Sequence, residues 1–172
     1  MKSVNHMIRS FVLCVFLLPM SFMAQISTDF SSTEFEIYIL KNPLVTTAQA
    51  MNVPLNSLEL SSQPFLSARD IKIYRWSAHE FDLQSRGDSV FQKMSVDRYA
   101  PGGIPFVVVV GKQRIYLGAF WWTSSSSIPP LTYITMSTPH PCISPCPICR
   151  QPDLRSDQRI HDALFDAGVL VQ

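Results

Sequence analysis

Three cysteines stand close together near the C-terminal end of the chain, in the run HPCISPCPICR: Cys142, Cys146 and Cys149, with His140 just upstream. Thiolates and imidazoles are ligands that zinc takes, and a structural site holds four of them in a tetrahedron. The three cysteines with His140 would complete that set, and His161 further on is an alternative fourth ligand. The same run allows a second chemistry. Cys146-Pro147-Ile148-Cys149 has the C-x-x-C form in which a thiol is activated by its surroundings. That chemistry wants the motif at the start of a helix after a buried strand, whereas Pro139, Pro141, Pro145, Pro147 and Pro152 crowd this segment. A third outcome is a disulfide that ties down a surface loop and leaves one thiol over. It asks least of the local backbone. Zinc is the one cofactor the loop would suit.

The remaining candidates carry less chemistry. His79 and Glu80 are neighbours in a segment with strand pattern, so they point to opposite faces and form no ready acid–base pair. Ser124 to Ser127 lack the G-x-S-x-G turn of a nucleophile. Asp153, Asp157, Asp162 and Asp166 lack calcium-loop spacing, the last two reading as a solvated helix face. Neither glycine-rich phosphate loop is present, so no nucleotide cofactor is expected and no catalytic residue is assigned. Phe120, Trp121 and Trp122 stand in a row, and alternate strand residues face opposite ways. At least one of the three is therefore expected at the surface, as a binding face, unless the Pro-rich segment after Ser127 covers it.

These groups need a scaffold. A chain of 172 residues is one domain. Fourteen Lys and Arg balance thirteen Asp and Glu to a net charge of +1, with no basic run. A nucleic-acid binder shows a clustered cationic footprint, so no nucleic-acid partner is expected. Lys2 and Arg9 precede an apolar stretch from Phe11 to Met23, which is the plan of a secretory signal removed after Ala24. The stretch is short for a membrane span, so membrane contact is expected only if the leader stays uncleaved. The expected location is outside the cytoplasm, periplasmic or secreted.

Residues 25–33 read as a flexible lead-in, and 34–172 as the folded domain. Phe35, Ile37 and Ile39 alternate with Glu36 and Tyr38, which predicts a half-buried strand over Glu34 to Leu40. Thr46 to Met51 reads as a helical turn. Ser67 with Asp70 three residues later is a capping box opening a short helix, followed by a strand from Ile71. His79 to Leu83 alternates, and Arg86 to Met94 is a helix. Pro105 to Val110, Gly111-Lys112 and the return to Trp121 form a hairpin with Gly first in a two-residue turn. Its four valines predict burial on both faces, and the return strand reads as half-buried with Ile115 and Leu117 on one side. Leu131 to Met136 adds a strand, and the Pro- and Cys-rich loop at 138–152 is irregular. Ser156 caps a last helix to Ala167, with Gly168 as its left-handed stop. Together these predict an α+β domain: one antiparallel or mixed sheet of four to six strands, with two or three helices on it.

The middle of the chain carries a resemblance. Pro64 to Ser67, Asp70-Ile71, the run HEFDLQSRGDSVF from His79 to Phe91 and GIPFVVVVGKQRIYLGAF from Gly103 to Phe120 resemble the periplasmic head subdomain of the SecD protein-export subunit. Leu83, Gly87, Phe91, Val107 to Val110 and Ile115 fall on its apolar pattern. Small exported bacterial proteins that share the GAFW and terminal-helix patterns resemble it equally. The resemblance implies an exported α+β module without chemistry of its own. The function expected is therefore non-enzymatic, through a protein or cell-envelope partner. The alternative is a metal-binding or thiol-redox protein centred on the cysteine loop.

Overall fold

The computed structural model describes residues 33–97, 100–136, 140–150 and 152–172. The expected leader and nearly all of the lead-in lie outside the described residues. Apolar residues fill β5 (Ile104–Val110) almost without interruption, and Pro105 to Val110 are all buried. Such a strand needs a cover on both faces. β1 (Phe35–Ile39) pairs antiparallel on one side of it and β6 (Gln113–Trp121) on the other. The β5–β6 turn has Gly111 at φ +61°, as a two-residue turn with Gly first requires. β2 (Leu66–Ser67), β7 (Thr132–Thr135) and β8 (Ile143–Ser144) complete a six-stranded sheet in the order β2-β1-β5-β6-β7-β8. β7 runs parallel to β6, so this sheet is mixed.

The single sheet expected from the sequence is two sheets among the described residues. Ser67 and Asp70 form the predicted capping box, now around a 3-10 turn, Ala68–Asp70. That turn carries the chain out of the large sheet into β3 (Ile71–Arg75), which pairs with β4 (Glu80–Leu83) and with the C-terminal β9 (Leu170–Val171). Asp70 is buried and accepts from the Ser67 amide at 2.8 Å and from the Arg86 guanidinium. It thereby fixes the start of α2 (Ser85–Asp97) against the turn.

Two apolar cores result. The larger holds Phe106, Val108 and Val110 from one face of β5, against the small sheet, Phe91 and Met94 of α2, and Ile160, Ala163 and Leu164 of α3 (Gln158–Asp166). The smaller holds Val107 and Val109 from the other face, under Leu40, Leu58 and Ala50 of α1 (Thr47–Met51). A bulge in β6 sorts its residues between them. Val108 faces Tyr116 and Val109 faces Arg114, so Ile115 is the extra residue. Ile115 and Tyr116 both enter the larger core and Leu117 packs against the smaller one, which corrects the expected pairing of Ile115 with Leu117. Arg114 turns to the smaller side and donates to the carbonyls of Leu55 and Leu58 at 2.6 and 2.7 Å.

The last helix is capped by Asp157, whose side chain accepts from the Arg159 amide, and not by Ser156, which belongs to a preceding 3-10 turn. Gly168, at φ +70°, stops it as expected: the Gly168 amide bonds Phe165 and the Val169 amide bonds Leu164.

Because β5 is core on both faces, Val107→Ala and Val108→Ala should each cost about 2 kcal/mol through lost burial and a residual cavity. Urea denaturation of each variant checks this. A neutral result for either one would mean that its face of β5 is not packed.

Candidate functional site

β6 carries the aromatic triplet to its end. Phe120, Trp121 and Trp122 are only 0%, 6% and 5% exposed. The expected aromatic binding face is therefore corrected, because all three are interior. Phe120 and Trp122 join the larger core. Trp121, on the other side, lies so close to Gly103 that a Cβ there would come within 2.6 Å of its ring.

The cysteine loop is not wholly irregular. The amide of Phe81 bonds Pro141 and that of Ile143 bonds His79, while β8 pairs with β7. Residues 141–144 therefore strap the small sheet to the large one. Cys142 donates its thiol to the carbonyl of Ala78 at 3.4 Å. Cys146 and Cys149 stand at disulfide distance, with Cα atoms 5.4 Å apart. His140 pairs instead with Asp82 at 3.0 Å. His161 pairs with Asp162 and sets its ring edge-on to Trp76. Among the described residues no three His, Cys, Asp or Glu side chains converge on a metal position. A four-ligand set of Cys142, Cys146, Cys149 and His140 is thus not assembled among the described residues, because Cys146 and Cys149 stand at disulfide distance from each other and His140 pairs with Asp82. Asp82 is held to about 2, first by its hydrogen bond to Arg75, with His140 helping.

A polar cluster that sequence spacing could not show lies where the two sheets meet. His79 closes the β3–β4 hairpin in the left-handed region, at φ +52°, and is buried. Its Nδ1 is 3.0 Å from the Tyr74 hydroxyl and its Nε2 is 3.4 Å from Ser156 Oγ. A serine, a histidine and an orienting group are the parts of a nucleophilic site, and the roles of the two ring nitrogens follow the tautomer. Burial raises Tyr74 far above its ordinary range, so it keeps its proton. With the ring proton on Nε2, His79 accepts from Tyr74 and donates to Ser156; with it on Nδ1, His79 donates to Tyr74 and accepts from Ser156. Arg155 braces the cluster by donating to the Ile143 carbonyl at 2.7 Å and pairing with Asp153. Burial first, then Arg155, pushes His79 down and keeps it neutral.

A groove lies beside the first half of β6. β5 pairs with β6 from Gln113 to Phe120 on one side, but β7 pairs on the other only from Gly118 to Trp121. Pro129 and Pro130 stand just before β7, and proline supplies no amide with which to continue a ladder. A cavity of about 400 Å3 opens there. Ile115, Tyr116 and Leu117 line its strand side and Leu131 its β7 end. Met51, Val53 and Leu55 line it from the layer over the smaller core. Pro145, both disulfide cysteines and Leu154 line it from the connection between β8 and α3. Met51, Val53 and Leu154 are 45%, 38% and 39% exposed, although apolar. No family model matches the chain, and no curated protein or solved structure matches it either.

Two outcomes follow. Trp121→Ala, which empties a packed position, should cost about 3–5 kcal/mol, read as a lower midpoint of thermal or urea unfolding. An unchanged midpoint would place the ring at the surface. His79 has a folded-state value below its ordinary 6.5, so the unfolded chain takes up a proton the folded one refuses. Its stabilising share should be complete above pH 6.5 and drain away as the pH falls through the folded value. His79→Gln should flatten this slope between about pH 6.5 and 5, above the range where carboxylates titrate. An identical slope in variant and parent would assign the dependence elsewhere.

Proposed function

We propose that the chain is an exported, non-enzymatic binding module that works through a protein or cell-envelope partner, engaged at the groove beside β6. The observation that carries this reading is an apolar cavity left open at a strand edge, rimmed by Met51, Val53 and Leu154. Apolar surface gathered in this way marks sites of association more often than scattered apolar residues do. The groove replaces the aromatic triplet as the binding surface, since those rings are committed to packing. The serine–histidine pair supports a structural role because it links the β3–β4 hairpin to the turn before α3.

The leader pattern of Lys2 to Met23 and the likeness to the SecD head pattern support export. The alternative centred on the cysteines becomes part of the same reading. The Cys146–Cys149 pair closes a loop of four residues, which contributes about 2 kcal/mol by chain entropy. Its larger effect is local, because it shapes one wall of the groove.

A fluorescent apolar probe such as anilinonaphthalene sulfonate should bind the folded chain at the groove. Met51→Glu and Leu154→Glu should each weaken it at least tenfold with little change in the unfolding midpoint, since both residues are partly exposed. Phe165→Glu, on the far exposed patch of α3, is the control and should change nothing. Loss of probe binding with Phe165→Glu, but not with the groove variants, would move the binding surface to α3.

A further inference from the structure

We propose that the groove's partner is an extended, uncharged apolar segment of another polypeptide, which adds to β6 as a strand opposite Gln113–Leu117. This rests on the groove being the binding surface. On one side β6 pairs with β5 from Gln113 to Phe120, and on the other β7 occupies only Gly118 to Trp121. Among the described residues no strand pairs with Gln113–Leu117 on that second side. Edge amides and carbonyls so placed are a template for another chain.

The slot has a cause in the sequence. β7 is parallel to β6 and begins at Thr132 opposite Gly118, and Pro129-Pro130 keep its ladder from running back along the strand. An incoming strand would therefore continue an interface the protein already makes. Five residues span about 17 Å at strand rise, enough for two or three side chains on each face.

Side chains of an added strand would alternate between the two walls. One wall carries Val53 and Leu55, and the other Pro145 and Leu154. Most of the side chains on both walls are apolar, and Asp153 on the second is committed to Arg155, so the recognised segment is apolar at successive positions, not at every second one. Asp153 is the charged side chain that lines the groove. Arg159 pairs with Asp157, and Arg114 is held by two carbonyls. An uncharged segment leaves these arrangements intact.

The test uses the full chain with a capped Thr-Val-Val-Val-Thr peptide and a copy N-methylated at the valines. The parent peptide should displace the fluorescent probe and slow amide exchange within Gln113–Leu117 at least tenfold. The N-methylated copy, which lacks the ladder donors, should bind at least tenfold more weakly. If both peptides displace the probe equally, strand addition is wrong while the groove remains a binding surface. If neither displaces a probe that does bind there, the occupant is not a peptide strand. Protection of Gln113–Leu117 that rises with protein concentration, without peptide, would make a second copy of this chain the occupant and overturn the proposal.

Discussion

The structure depends on burying both faces of one strand. Pro105 to Val110 offer water no polar side chain, so a single-layer cover would leave half of β5 wet. One face obtains a thick layer made from α2, α3 and the small sheet, with Phe106, Val108 and Val110 at its base. The other obtains a thin one, made from α1 and the connection around Leu58. The thin layer lacks a long helix, and its attachment includes polar anchoring. Arg114 reaches across from β6 to two carbonyls in it, and the bulge at Ile115 is what puts Arg114 on that side. A local irregularity in one strand thus serves the layer that covers its neighbour.

Joining two sheets creates the second constraint. Where the hairpin of β3 and β4 meets the strap at residues 141–144, backbone groups from both must be satisfied away from water. The left-handed turn at His79 aims its carbonyl at the Ile143 amide, and its ring at Tyr74 and Ser156. Such a conformation is uncommon outside glycine and persists only where the surroundings hold it. Here the ring is packed edge-on against Tyr74 and Trp76. The cluster joins the hairpin to the strap and to the turn before α3.

The α+β class was legible because β1, the β5–β6 hairpin and the helices each have a strong local pattern. The capping box at Ser67 and Asp70 and the stop at Gly168 were legible for the same reason, since caps use near neighbours. β8 and β9 were not, being two residues each and fixed by tertiary partners. The aromatic triplet was misread through a sound rule applied to the wrong background. Alternation does send Phe120 and Trp122 one way and Trp121 the other. In a sheet covered on both faces, however, the two directions lead to packed interiors and not to one core and the solvent. The zinc reading of Cys142, Cys146, Cys149 and His140 rested on the same kind of local evidence. Spacing says which ligands are near in the chain, but the strap pins Cys142 to Ala78 and leaves Cys146 and Cys149 to each other.

The groove could not be read from sequence because it is a consequence of register. Only when β7 is known to run parallel, and to begin opposite Gly118, does Pro129-Pro130 become the reason that half of β6 lacks a second neighbour. Exposed apolar edges are usually blunted by charge, proline or a covering loop. This chain uses prolines beside the edge and walls around it, but the walls leave about 400 Å3 between them. A loop meant only to seal the edge would have to fill that space. Instead the disulfide gives the loop a fixed shape at the rim, and Cys149 Sγ sits 3.4 Å from the Pro130 carbonyl, at the corner where β7 begins. The proposed strand would occupy the slot so left beside Gln113–Leu117.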